Sequence, residues 1–378
     1  MQKKIMLIFG TRPEAIKMCP LVLELRKHAQ FKTIVCLTGQ HREMLYQVMN
    51  CFGINPDYDL KIMRPNQTIT SITIDVISKL DTILSEDKPD LVLVHGDTTS
   101  SFAAAIAAFY KKIPIGHVEA GLRTFNLYEP FPEEANRELI DQISTLFFAP
   151  TSLNKQNLNK QGIYQNIYIT GNTVIDAFKY TVKSDYQFTE ERLKDIDFIK
   201  SKTILVTAHR RENFGKPLKH ICEAIKTLSN KYDKCLFIFP VHPNPNVSET
   251  VHYFLSNCKN VILLNPLSVL DMHNLISRIY FVMTDSGGLQ EEAPYFNKPV
   301  LVLRNKTERE EAVKSGTVKT CGTDSEEIVL QVEKLFNDRV YYQKIANANN
   351  PYGNGHASEI IAGVLENFFN YPIINYAK

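Results

Sequence analysis

The feature that most constrains this chain is a repeated alternation: short runs that are apolar on both faces, bounded by turn residues and separated by helical patterns. IMLIFG (5–10), TIVCLTG (33–39), LVLVHG (91–96), IPIGHVEAG (113–121) and TLFFAP (145–150) are interleaved with helical stretches at 14–28, 68–85, 98–110 and 134–143. A strand without a polar face must be covered on both sides. Intervening helices supply that cover, so the pattern predicts a parallel α/β sheet. After a polar stretch near 183–202 the alternation restarts with TILVTAH (203–209), CLFIFPVH (235–242), NVILLNP (260–266), YFVMTDSGG (280–288) and PVLVLR (299–304). A chain of 378 residues also exceeds what one core usually fills. The expected fold class is α/β, with two doubly wound Rossmann-like domains facing across a cleft. Residues 1–172 are expected to form the first domain and 173–355 the second. The helix in 356–378, which follows the breaker NANNPYGNG (346–355), returns to the first. Pro20 is expected to kink or interrupt the first helix.

Charge and cysteine usage narrow the function. Lys plus Arg is 43 against 41 Asp plus Glu, a net charge of +2, too balanced for nucleic acid or an acidic membrane surface. The seven cysteines are scattered without a C-x-x-C pair, which points to reduced thiols and against a structural zinc site. The longest markedly apolar run, Phe102 to Tyr110, is roughly half of a membrane span. Only about five apolar residues follow Lys3-Lys4 before Gly10, too few for a signal-peptide core, so a cytoplasmic protein is expected.

In open parallel sheets, ligands bind at the carboxyl ends of the strands. Here those ends read GTR (10–12), TGQH (38–41), HGD (95–97), HVEAGLR (117–123), TAHRR (207–211), PVHPN (240–244), TDSGG (284–288) and LRNKTER (303–309). DSGGLQEE (285–292) places Ser-Gly-Gly between a strand and a helix, an arrangement suited to a phosphate; the bland alternative is a helix cap by Asp285 or Ser286. Glu292 could accept hydrogen bonds from a diol. Lys17 near a helix N-terminus opposes the dipole, which an anionic substrate would offset. Asp97 could cap the helix that follows it. In the charged stretch from His117 to Gln142, Glu133 and Arg137 sit at i, i+4, and Glu134 and Arg137 are left as helix-surface charges. His41, His95, His117 and His242 lack metal-site spacing, and no metal is expected. No nicotinamide fingerprint or P-loop is present.

At GTRPEAIK, HGDTTS, GHVEAGLRT, PFPEEANR, TAHRREN, VHPNPNV and DSGGLQEEAP, in that order along essentially the whole chain, the sequence resembles the non-hydrolysing UDP-N-acetylglucosamine 2-epimerases. The resemblance implies a GT-B fold whose domains close over the nucleotide, a homodimer, and no metal or nicotinamide cofactor. It implies C2 epimerisation of UDP-GlcNAc to UDP-ManNAc through elimination of UDP and re-addition to 2-acetamidoglucal, supplying an envelope polysaccharide. By motif, Asp97, Glu119 and Glu133 correspond to acid/base carboxylates, with Lys17 and His209 assisting. Arg12, His242, Ser286, Gly287, Gly288, Glu292 and Arg309 correspond to UDP contacts. Gln40 and His41 match a segment that binds UDP-GlcNAc as an allosteric activator. Glu43 stands where activated members often have glutamine and Asn66 where they often have arginine, so weak or absent activation is expected.

Three alternatives are distinguishable. A hydrolysing 2-epimerase releasing ManNAc and UDP usually departs from GTRPEAIK after the arginine, whereas this chain keeps it. A retaining GT-B glycosyltransferase would not require this set of carboxylates. A non-catalytic sugar-nucleotide sensor would keep DSGG and lose the acids, which are all present here.

Overall fold

The computed structural model describes residues 2–41 and 43–370. The chain divides into two compact units, Met1–Tyr180 with Tyr352–Lys378, and Thr181–Pro351.

In the first unit the strands are β1 (Lys3–Phe9), β2 (Phe31–Leu37), β3 (Tyr58–Asp59), β4 (Leu91–His95), β5 (Ile115–Val118), β6 (Leu146–Ala149) and β7 (Ile167–Ile169). They form one sheet in the order β3-β2-β1-β4-β5-β6-β7, with every neighbouring pair parallel. The helices are α1 (Arg12–Leu25), α2 (Glu43–Cys51), α3 (Ile69–Asp87), α4 (Thr99–Tyr110), α5 (Glu133–Ile143), α6 (Ser152–Lys160) and α7 (Thr173–Thr181). The central strands β1 and β4 are the apolar runs read from the sequence. Ile5 to Phe9 and Leu91 to Val94 are fully buried, each side chain contributing about 1.5–3 kcal/mol. Residues of α3, α4 and α5 complete the core on one face of the sheet, and α1 packs on α2.

The second unit carries β8 (Thr203–Thr207), β9 (Leu236–Pro240), β10 (Val261–Leu264), β11 (Phe281–Thr284), β12 (Val300–Val302) and β13 (Val318–Thr320). Their order is β10-β9-β8-β11-β12-β13, again parallel throughout. Its helices are α8 (Glu191–Lys194), α9 (Lys216–Lys231), α10 (Pro245–Leu255), α11 (Val269–Arg278), α12 (Gly287–Glu292), α13 (Glu310–Ser315), α14 (Ser325–Asn337) and α15 (Arg339–Ala346). The last helix, α16 (Ala357–Asn370), belongs to the first unit: it packs on α1, and the Asp176 carboxylate accepts from Ala357 N (3.2 Å) and Ser358 N (2.8 Å) at its start. Gly171 makes the approach possible, because a Cβ there would lie 2.9 Å from the Tyr352 carbonyl oxygen.

Two details depart from the sequence reading. Helix α1 continues through Pro20 to Leu25 without interruption, with Pro20 itself buried. The edge strands β3, β7 and β13 are only two or three residues long, too short to display a period, which is why periodicity does not reveal them. Each sheet reverses its strand order once, between β1 and β4 and between β8 and β11, and these switch points are where such sheets bind ligands.

Candidate active site

At the first switch point β1 runs into Gly10-Thr11-Arg12 and β4 into Gly96-Asp97. Gly10 is dictated by space, since a Cβ would fall 1.7 Å from Thr38 Oγ1. Thr11 and Glu14 form a capping box at the start of α1. Glu14 is buried: Oε2 accepts from Gly10 N (3.0 Å) and Thr11 N (2.7 Å), while Oε1 accepts from Thr98 Oγ1 (2.7 Å) and Ser101 Oγ (2.6 Å). One carboxylate thus ties the N-terminus of α1 to that of α4.

The cap of α4 is Thr98, whose side chain accepts from Ser101 N, so Asp97 does not cap it. Its carboxylate instead meets Arg137 Nη2 at 2.7 Å. Arg137 also faces Glu134 Oε2 at 3.3 Å, and Glu134 Oε1 accepts from Thr124 N (2.9 Å) and Phe125 N (2.8 Å). Glu134 and Arg137 are therefore buried connectors and not the helix-surface charges expected from sequence. Glu133, half-buried at the start of α5, has no ion pair or side-chain hydrogen bond among the described residues.

Glu119 follows β5 with φ +67°, a left-handed conformation that costs a non-glycine residue about 1–3 kcal/mol. Its Oε2 accepts from Lys17 Nζ and from Asn172 Nδ2 (2.8 Å). The cation near the start of α1 is thus offset by an internal carboxylate. Because His95 pairs with Val118 in the β4–β5 register, Asp97 and Glu119 emerge from the ends of adjacent strands. Below them, buried His117 contacts Asp141 Oδ1 through Nδ1 (2.6 Å) and the Gly96 carbonyl through Nε2 (2.8 Å). Arg123 donates to the other oxygen of Asp141. Burial would raise the Asp141 carboxyl, but His117 and Arg123 hold it below its ordinary value.

Gln40 and His41 adjoin the same end of β1. Ser100 Oγ donates to Gln40 Oε1 (2.7 Å), and His41 Nδ1 accepts from Arg12 N (3.4 Å). Burial holds the His41 imidazole below its ordinary value, with Glu14 opposing. Glu43 and Asn66 are exposed.

At the switch point of the second unit, β8 leads to His209 and β11 to Asp285. Asp285 is fully buried, and its Oδ2 accepts from His209 N (2.8 Å), Arg210 N (2.8 Å) and Asn213 Nδ2 (2.9 Å). It anchors the 209–213 turn and does not cap α12. Ser286, the N-cap residue, makes no side-chain cap bond either, so neither expected cap is used. A Cβ on Gly288 would sit 3.3 Å from Glu292 Oε1, which puts that carboxylate beside the first turn of α12. Arg309 Nε donates to Glu291 Oε1 at 2.6 Å, and both residues are buried. Burial would raise Glu308, yet Arg309, Arg304 and Arg210 together hold it down to about 2. The His209 and His242 rings stack at 5.7 Å. Burial lowers the His209 imidazole, and Asp285 Oδ1 at 4.0 Å opposes that. His242, exposed, lines a cavity of about 220 Å³ with Val241, His252, Leu264, Asn265 and Pro266.

Sequence reasoning singled out Asp97, Glu119, Glu133, Asp285 and Glu292 but missed the buried carboxylates Glu14, Glu291 and Glu308, the clamp that Arg137 places on Asp97, Asn172, and the His117–Asp141–Arg123 network. Asn172 lies 53 residues from Glu119 and Asp141 lies 24 from His117, distances at which no local spacing carries a pattern. Among the described residues, no group of three or more His, Cys, Asp and Glu is placed to hold a metal, and no helix is long and apolar enough to cross a membrane.

Residues 23–366 match the family model described as UDP-N-acetylglucosamine 2-epimerase. A UDP-N-acetylglucosamine 2-epimerase of Neisseria meningitidis is 50% identical over 367 residues, covering 96% of this chain and 99% of that protein. The crystal structure of the UDP-GlcNAc 2-epimerase from Neisseria meningitidis, bound to UDP-GlcNAc, superposes with a TM-score of 0.86 at 49% identity, covering 96% and 99% of the two chains. That of Methanocaldococcus jannaschii, in complex with UDP-GlcNAc and UDP, gives 0.80 at 33% identity with the same coverage. A glycotransferase of kitacinnamycin, only 10% identical, shares the fold with a TM-score of 0.66 over 97% of this chain and 98% of its own.

Proposed function

This chain belongs to the UDP-N-acetylglucosamine 2-epimerase family and has its two-domain GT-B-type fold; from that premise we propose that it is the non-hydrolysing type, interconverting UDP-GlcNAc and UDP-ManNAc. The observation that carries this reading is the pair of carboxylates at the ends of β4 and β5, each held by a cation: Asp97 by Arg137, and Glu119 by Lys17. The intact Gly10–Lys17 segment, from which hydrolysing relatives usually depart, favours retention of the product as a nucleotide sugar.

The C2 hydrogen of a glycoside is not adjacent to a carbonyl, so its direct removal is unfavourable. Breaking the C1–O bond first lets UDP leave with the electron pair and builds positive charge at C1. A carboxylate then takes the C2 proton, and the C–H electrons become the C1=C2 bond of 2-acetamidoglucal. Return of the UDP oxygen to C1, with a proton delivered to the opposite face of C2, gives the epimer. Asp97, Glu119 and Glu133 are assigned the acid/base work, with Glu133, which has no ion pair among the described residues, well suited to carry a proton. Lys17 and His209 serve the sugar and the departing diphosphate. Arg12, His242, Ser286, Gly287, Gly288 and Arg309 bind UDP, and Glu292 takes the ribose hydroxyls. We further assign a cytoplasmic homodimer that supplies ManNAc for an envelope polysaccharide.

Incubation with UDP-GlcNAc in D2O, followed by NMR, tests the reading. It requires deuterium at C2 in a mixture of UDP-GlcNAc and UDP-ManNAc. Accumulation of free ManNAc would identify hydrolysis instead, and turnover without C2 label would refute the elimination route.

A further inference from the structure

His95 ends β4 with 4% of its surface exposed, and among the described residues neither ring nitrogen has a hydrogen-bond partner. A purely structural histidine in such a place would be expected to find one, because a buried polar group left unpaired destabilises the fold. Burial lowers the imidazole to about 3, so the ring is neutral and carries a single N–H. The polar group its Nε2 faces is Glu119 Oε2, 3.7 Å away and just beyond hydrogen-bond range. That same oxygen is held by Lys17 Nζ and Asn172 Nδ2.

Under the function proposed above, on which this inference rests, Lys17 has two anions to serve: Glu119 before the reaction and the departing diphosphate during it. We propose that His95 is a positioning residue for Glu119, its Nε2–H closing onto Oε2 as the Lys17 ammonium turns toward the diphosphate. No covalent step is involved: one charged donor leaves the carboxylate and one neutral donor replaces it. The exchange keeps Glu119 aimed by Asn172 and His95, and a carboxylate freed of a neighbouring cation accepts a proton more readily. The unmet hydrogen-bonding capacity of the resting ring is what makes it available for the exchange.

Two variants of the full-length enzyme separate this role from a structural one. His95→Gln keeps an N–H donor near the Nε2 position, and His95→Leu removes it at similar volume. Leu relieves an unsatisfied buried polar group, so its Tm should equal or exceed that of the wild type. Its kcat and C2 deuterium exchange should fall about 30- to 100-fold with KM within about threefold, whereas Gln should stay within about tenfold in kcat. An active wild type whose Leu variant keeps its kcat would overturn the proposal, as would a Gln variant no better than Leu. A Leu variant that loses activity only in proportion to a lowered Tm would overturn it in favour of a packing role. A wild type that leaves UDP-GlcNAc unlabelled would instead sink the proposed function on which it rests.

Discussion

Replacing Asp141 by Asn tests whether the buried network under the β4–β5 edge sets both stability and catalysis. Asp141 is 1% exposed, and its two oxygens meet His117 Nδ1 (2.6 Å) and the Arg123 guanidinium. Asparagine turns an NH2 toward one of those donors and removes the carboxylate that both contact. Removing one partner of a buried ion pair destabilises by about 3–5 kcal/mol, and about 2–4 °C of Tm accompanies each kcal/mol in a domain of this size. The expected loss is therefore roughly 6–20 °C, read by thermal denaturation. Lys314→Ala supplies the contrast: that residue pairs with Glu310, both side chains are about two-thirds exposed, and its loss should be worth no more than about 1 kcal/mol. The folded-state carboxyl of Asp141 lies below its unfolded value near 3.9. Its contribution is accordingly complete above about pH 4 and lost as pH falls through the depressed value, so the gap between wild type and D141N should narrow only on the acid side of pH 4. His117 also holds the Gly96 carbonyl next to Asp97, so at a temperature where D141N remains folded its kcat should fall by up to about 100-fold. A Tm within about 2 °C of wild type, or a gap that widens in acid, would refute this account.

Three further outcomes follow from the site. Asp97→Asn, Glu119→Gln and Glu133→Gln should each abolish C2 deuterium exchange while leaving UDP affinity, measured by calorimetry, within a few fold; loss of UDP binding instead would move these residues out of the acid/base role. Arg309→Gln should weaken UDP binding about 10- to 100-fold, the worth of a charged hydrogen bond, and a Kd unchanged within twofold would remove Arg309 from the diphosphate contacts. With Glu43 and Asn66 in place of the usual glutamine and arginine, UDP-ManNAc alone should be converted without a lag. An enzyme inert until trace UDP-GlcNAc is added would contradict that expectation.

What the sequence determined by itself was local. Apolar runs on both faces specified buried parallel strands, and polar residues at their ends marked where chemistry could gather. GTRPE was legible as a helix start because Thr11, Pro13 and Glu14 act within one turn, and Asp97 and Glu119 were legible because each ends an apolar run. What each carboxylate is paired with was decided only by sheet order and register. Placing β5 beside β4 brings His117 under Gly96, and folding the chain after β7 back toward the β5 end brings Asn172 to Glu119. Arg137 became a buried clamp on Asp97 because α5 packs against α4, although in sequence it is one more charge on an amphipathic helix. In the second unit the Ser-Gly-Gly turn was visible in the sequence, but the duty of Asp285 as anchor of the 209–213 turn depends on β11 lying next to β8. Periodicity records which face of an element is buried. It holds no information about which distant charge will meet that face, since that pairing is settled by the desolvation of both partners once the strands have taken their places.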